Sequence, residues 1–162
     1  MANRILITLQ ENIESPSWLD RTEPFVQKAM QKLNFDCEEV SVLFCNNEYI
    51  RELNKCYRQI DSPTDVLSFE NDSVYDEDGT QWKAVGDIAI SVEMIAENAS
   101  YFKTTENAEL KRLLVHGILH LNGMDHGEEH IENGIEPECE MLVLQEKILK
   151  EHGIRKRTYT EA

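Results

Sequence analysis

Two stretches of the chain, "RILITLQ" at residues 4–10 and "EEVSVLFC" at residues 38–45, are short apolar-rich runs that read as strands. Between them, "SWLDRTEPFVQKAMQKLNF" carries its apolar residues at helical spacing, with Ser17 as the expected N-cap. A second helix is predicted in "NNEYIRELNKCYR", which opens on a capping asparagine and puts Tyr49, Ile50, Leu53 and Tyr57 on one face. Pro63 in "IDSPT" forces Ser62 out of helix and makes that stretch a turn. Two further strands, "DVLSFE" and "GDIAIS", are expected on either side of an acidic loop, "NDSVYDEDGTQWKAV". The remainder reads as three helices, "VEMIAENASYFK", "ENAELKRLLVHGILHLNG" and "PECEMLVLQEKILKEHG". No repeat, low-complexity block or linker interrupts this order. The pattern predicts an α+β fold in a single domain over residues 1–162, a small mixed four-stranded sheet covered by about five helices.

Length is in keeping with that expectation, since a chain of 162 residues and 18.8 kDa buries roughly 70% of its unfolded surface and needs no metal merely to fold. The opening "MANRILITLQENIESPSW" has one arginine and an apolar run broken after Leu9, unlike a signal peptide. No later stretch approaches the ~20 apolar residues of a membrane span, so a cytoplasmic protein is expected. Cys37, Cys45, Cys56 and Cys139 form no C-x-x-C pair and are expected as reduced, partly buried thiols.

Charge complicates any nucleic-acid reading. Asp and Glu number 31 against 16 Lys and Arg, a net charge of -15, which repels a polyanion at long range. An RNA substrate then needs a local basic groove, for which Arg51, Lys55 and Arg58, or Lys103, Lys111 and Arg112, are the candidates; equally open is that these are solvated helix faces paired with nearby glutamates. The acidic loop is read as a solvated hairpin connection and not an EF-hand, because Val74 falls at its third position from Asp72 and Glu77 replaces the glycine required at the sixth.

The chemistry concentrates in "HGILHLNGMDH", which holds three of the five histidines. His116 and His120 are four apart near the end of a helix whose core face includes Leu110, Leu113 and Leu114, so their rings project from one side about a turn apart. Gly123 permits a left-handed turn that brings His126 back toward the same point. Three neutral imidazoles with an open fourth position suit one catalytic zinc ion per chain. The alternative, a core histidine, a helix-terminal cation and a loop histidine side by side, explains each residue singly but not their spacing. His130 is expected at the surface rather than as a fourth ligand, and Asp125 either orients an imidazole or is an ordinary turn aspartate. The frame H-x-x-x-H-x-x-G-x-x-H is that of metzincin proteases, except that Gly117 stands where those enzymes carry a glutamate base.

"HGILHLNGMDH", with "LNKCYRQIDSPTDVLSF" and "GDIAIS" upstream in the same order, resembles the YbeY family of metal-dependent endoribonucleases, also described as ribosomal RNA maturation factors, over about residues 5 to 150. The resemblance implies a cytoplasmic bacterial or organellar hydrolase of α+β fold, zinc held by His116, His120 and His126, and single-stranded RNA as substrate. It further implies a part in processing the 3′ end of small-subunit ribosomal RNA and in ribosome quality control. Ribosomal RNA and the ribosome or its proteins are the expected partners, with no membrane and no DNA. The family's functional arginine falls on Arg58, while Glu70 stands where many members have a proline after "LSF".

The chemistry also has a basis independent of the resemblance. Zinc lowers the pKa of bound water to about 7, and a guanidinium such as that of Arg58 can hold two non-bridging phosphate oxygens at once. Without the resemblance, Arg58 reads equally as a helix cap or a partner of Asp61. Three classes of function follow: a zinc endoribonuclease, a zinc peptidase, which the missing base counts against, and a ribosome-associated assembly factor with a structural metal.

Overall fold

The computed structural model describes residues 3–124 and 139–154 of the chain. In order these form β1 (Arg4–Leu9), α1 (Thr22–Lys32), β2 (Glu38–Cys45), α2 (Asn47–Arg58), β3 (Val66–Glu77), β4 (Thr80–Ser91), α3 (Val92–Tyr101), α4 (Glu106–Leu121) and α5 (Glu140–Glu151). The strands lie in the order β1-β2-β4-β3. β1, β2 and β4 run parallel and β3 is antiparallel to β4, so the sheet is mixed, as expected. No described helix is long and apolar enough to cross a membrane.

Alternation along β2 sorts the layers. Val40, Val42 and Phe44 are buried on one face with Ile88 and Ile90 of β4, in the cluster that takes in α1, α4 and α5. Trp18 closes it, its ring edge-on to Phe44 at 5.0 Å between centroids. Side chains of opposite phase, Cys45, Leu67 and Ala89, pack under Ile50 of α2 on the other face. Asn46 caps α2 as the sequence suggests, its Oδ1 accepting the Tyr49 N–H at 2.8 Å. α2 covers only part of its face. Tyr49 and Tyr57, expected on one face of α2 with Leu53, do share a face with it, but they are exposed there and line an open groove of about 530 Å³ with Leu53, Phe69 and Asp87.

Two elements differ from the expectation. The first helix does not start from Ser17: Leu19–Arg21 form a 3₁₀ turn and α1 begins at Thr22 with no side-chain cap. Pro24 is the reason, since it lacks an N–H and fits only the first turn; a helix capped by Ser17 would put it in the interior, against the carbonyl of Asp20. The hairpin connection expected over 71–85 is present, but as paired strand rather than as a solvated loop. It continues both strands to a hairpin closed by Asp78 and Gly79, whose φ of 50° and 79° are the left-handed pair that a tight two-residue turn requires. A bulge between Glu70 and Ser73 offsets the pairing. Arg4 holds the hairpin to the rest of the sheet: its guanidinium lies 4.1 Å from the Trp82 ring centroid and donates to Tyr75 Oη and Glu77, while Tyr75 Oη–H donates to Glu39.

None of the four cysteines is in a disulfide. Cys45 is fully buried, and burial pushes its thiol pKa up from 9.0 to about 12. In the unfolded chain the same group ionises near its ordinary value, so the stability gained from its neutral form is complete below about pH 9 and is lost as pH rises toward 12. Thiol labelling of the native protein at neutral pH should therefore modify exposed Cys56 readily and Cys45 only after denaturant is added, and the melting temperature should begin to fall once pH passes about 9. Equal labelling rates for the two thiols would contradict this burial.

Candidate active site

α4 carries the candidate ligands and is fixed at both ends. Thr105 Oγ1 accepts the Ala108 N–H at 3.0 Å, and Glu106 and Glu109 sit in the first turn, where the helix dipole favours negative charge. At the other end Gly123, with φ of 82°, donates its N–H to the His120 carbonyl, and Met124 N–H reaches the Leu119 carbonyl, both at 3.1 Å. These two bonds make a Schellman motif. The left-handed turn expected at Gly123 is therefore present.

Within α4, position 117 faces the sheet. A Cβ on Gly117 would lie 2.9–3.1 Å from three atoms of the Ile88 side chain, so the helix backbone rests directly on β4. His116 and His120 stand off that contact, half-buried, with ring centroids 4.6 Å apart. Their Nε2 atoms face each other at 3.1 Å. His116 Nδ1 lies 2.7 Å from Oε1 of Gln145 in α5, and Gln145 Nε2 donates to Glu146 Oε2 at 3.3 Å. An amide oxygen can only accept, so in this arrangement Nδ1 is the ring nitrogen placed to donate to Gln145, and Nε2 is the one turned toward His120. Two nitrogen ligands of one tetrahedral zinc, each 2.0–2.1 Å from the metal, lie about 3.3 Å from each other. The histidine pair fits a divalent ion in spacing. His126, Asp125 and His130 lie outside the described residues, and no group of three metal-ligating side chains occurs among the described ones.

Arg58 is the last residue of α2 and exposed, and its side chain makes no hydrogen bond or ion pair among the described residues. Gln59 ends the helix with φ of 58°. The pairing with Asp61 considered for Arg58 is made by Arg51, through Nε at 2.7 Å, and this bond holds the Asp61 carboxyl below the usual carboxylate range. Asn54 Nδ2 ties the same turn to α2 through the Ser62 carbonyl at 2.9 Å. In the second basic stretch Lys103 is exposed, but the other two cations are engaged. Arg112 is buried and bound to Glu146 at 2.6 Å, and Lys111 Nζ lies 5.3 Å from the Phe25 ring centroid, toward α1.

The sequence profile of the family Endoribonuclease YbeY matches residues 6–153. The chain belongs to the YbeY family. It is 46% identical to Endoribonuclease YbeY of Treponema denticola over 94% of its length and 95% of that protein's, and 39% identical to the Borreliella burgdorferi relative of the same name over 94% and 97%. It also resembles the solution structure of TM1509 from Thermotoga maritima, with 28% identity, a TM-score of 0.58 and coverage of 91% of this chain and 87% of that one.

Within this YbeY-family chain, the histidine spacing and Arg58 were visible in the sequence. The polar partners from α5, Gln145 and Glu146, were not, because "VLQEKIL" reads as an ordinary amphipathic run. The structure also explains Gly117 more fully than a missing base does. A glutamate there would push a carboxylate into the apolar contact with Ile88, so Gly117→Glu should lower folding stability by about 3 kcal/mol or more and create no peptidase activity. Urea denaturation and a peptide-cleavage assay check both; a stable variant that cuts peptides would show that position 117 faces the metal.

Proposed function

We propose that the protein is a metal-dependent endoribonuclease of single-stranded RNA, acting in ribosomal RNA maturation at the 3′ end of the small-subunit RNA and in ribosome quality control. In this reading one zinc ion is held by His116, His120 and His126. The observation that carries it is the pair of Nε2 atoms 3.1 Å apart, the spacing of two ligands on one ion; membership of a family named for endoribonuclease activity supports RNA as the substrate. When bound, the ion supplies Lewis acidity, drawing charge from a phosphoryl oxygen and easing loss of a proton from water near neutral pH.

The chain's own groups do the rest. Gly117 leaves no carboxylate base beside the first ligand, which disfavours peptide hydrolysis. Arg58, free of Asp61, can offer a planar pair of donors to two phosphate oxygens and stabilise the charge that develops on them. Lys55, also exposed, lies one helical turn before it and adds local positive charge in a chain of net charge -15.

Protein loaded with zinc and then desalted should carry about one ion per chain and cut labelled single-stranded RNA, with cleavage lost on chelation. His116→Ala, His120→Ala and His126→Ala should each lower metal content sharply, whereas His130→Ala should not. The metal-free protein should remain folded and melt at a lower temperature, as for any ligand of the native state. Metal retention without RNA cleavage would favour a structural metal in an assembly factor, and peptide cleavage alone would overturn the reading.

Arg58 is tested by charge against shape. Arg58→Lys keeps the charge and loses the fork, so it should reduce single-turnover cleavage nearly as much as Arg58→Ala, by roughly a hundredfold or ~3 kcal/mol, at unchanged zinc content. If lysine substitutes well and the alanine defect shrinks with added salt, Arg58 acts only by long-range attraction.

A further inference from the structure

Three residues outside the proposed ligand set form a continuous polar chain ending on His116. Arg112 Nη1 donates to Glu146 Oε2 at 2.6 Å, the same oxygen accepts Gln145 Nε2–H at 3.3 Å, and Gln145 Oε1 faces His116 Nδ1 at 2.7 Å. Gln145 and Arg112 are 2% and 5% exposed, so water is poorly placed to substitute for any link. The order of charges determines the direction of every bond. Arg112 is always a cation and holds Glu146 as a carboxylate, which can only accept. The amide of Gln145 must therefore turn its NH₂ toward Glu146, because the flipped amide would oppose its oxygen to the carboxylate. Its oxygen is then left for His116, whose Nδ1 must be the protonated nitrogen.

We propose that Gln145, oriented by the Arg112–Glu146 pair, is a positioning residue that holds His116 in the tautomer protonated on Nδ1 and not on Nε2. The role in metal binding rests on the metal reading above, while the tautomer itself does not. Partners of this kind on a ligating histidine are typically worth 10–100-fold in metal affinity.

The test uses the full chain. Two-bond proton–nitrogen correlation spectra of the metal-free protein, at a mildly alkaline pH where the ring is neutral, should show His116 protonated at Nδ1. Gln145→Met, close in volume and unable to accept, should move the ring toward the Nε2–H tautomer and weaken zinc binding 10–100-fold in chelator competition, with the His126 and His130 tautomers unmoved. Because a buried substitution can impair folding, the double variant Arg112→Met/Glu146→Gln serves as a second probe: it removes both charges together, leaves Gln145 free to flip, and should give a mixed tautomer and an intermediate zinc affinity. An Nε2–H ring in the wild type, or unchanged tautomer and affinity in Gln145→Met, overturns the proposal. A wild type with the Nδ1–H tautomer that binds no divalent ion would overturn the metal reading and still support the tautomer assignment.

Discussion

The close seating of α4 on the sheet is the constraint from which the site follows. Gly117 lies on Ile88, and one turn later the Leu121 side chain reaches Gly86, where a Cβ would come within 2.7 Å of it and 2.1 Å of the Phe69 carbonyl oxygen. The two contacts fix which row of α4 faces β4. Residues 112, 116 and 120 are each one position before 113, 117 and 121, so they form a parallel row rotated by about 100° from the first. That row holds Arg112, His116 and His120, and it faces Gln145 and Glu146 of α5. A side chain at either glycine would shift the helix and with it the direction of both imidazoles. Gly117 and Gly86 thus matter for the chemistry without touching it.

The polar row gives α5 an address that apolar packing would leave loose. Met141, Ile148 and Leu149 supply its burial, but a stripe of aliphatic side chains tolerates small rotations of the helix. The Arg112–Glu146 pair does not. Its side chains are only 6% and 12% exposed, so each charge loses most of its hydration and recovers it only when the partner stands within bonding distance. The net contribution of such a pair to stability is small, yet separating its members strands a charge indoors and costs several kcal/mol. In this protein the consequence is positional: with Glu146 fixed, the adjacent Gln145 has a single way to hydrogen-bond.

How much of this could be read from the sequence depends on whether the cause was local. The i, i+4 histidines, the Gly123 turn, the Asn46 cap and the turn at Pro63 are encoded within a few residues, and each stands in the structure where the sequence puts it. The start of α1 was also local, and reading Pro24 as a first-turn residue would have located it. The hairpin between β3 and β4 was legible too, but not the length of its strands, because the acidic run up to Asp78–Gly79 lacks the apolar alternation that marks a strand. The rest is tertiary. Nothing near Arg112 announces Glu146 thirty-four positions on, nothing near Arg51 reserves Asp61 for it rather than for Arg58, and a bond from α5 to His116 has no periodicity to betray it.

Acidity has a structural use here that is separate from the substrate. β3 is an edge strand twelve residues long, and such an edge invites pairing with another chain. Glu70, Asp72, Asp76 and Glu77 lie along it and Asp78 is at its turn, so a second strand approaching that edge meets a line of like charge. Arg4 pairs with Glu77 from the far edge strand and satisfies one carboxylate without neutralising the line. The acidic count that argues against RNA binding at the level of the whole chain is thus concentrated in part on the hairpin. The exposed cations Lys55 and Arg58 stand elsewhere, on the last turn of α2. At 0.15 M ionic strength charges separated by more than about 8 Å are largely screened from one another, so it is the composition of each surface, and not the total, that decides whether a polyanion can approach it.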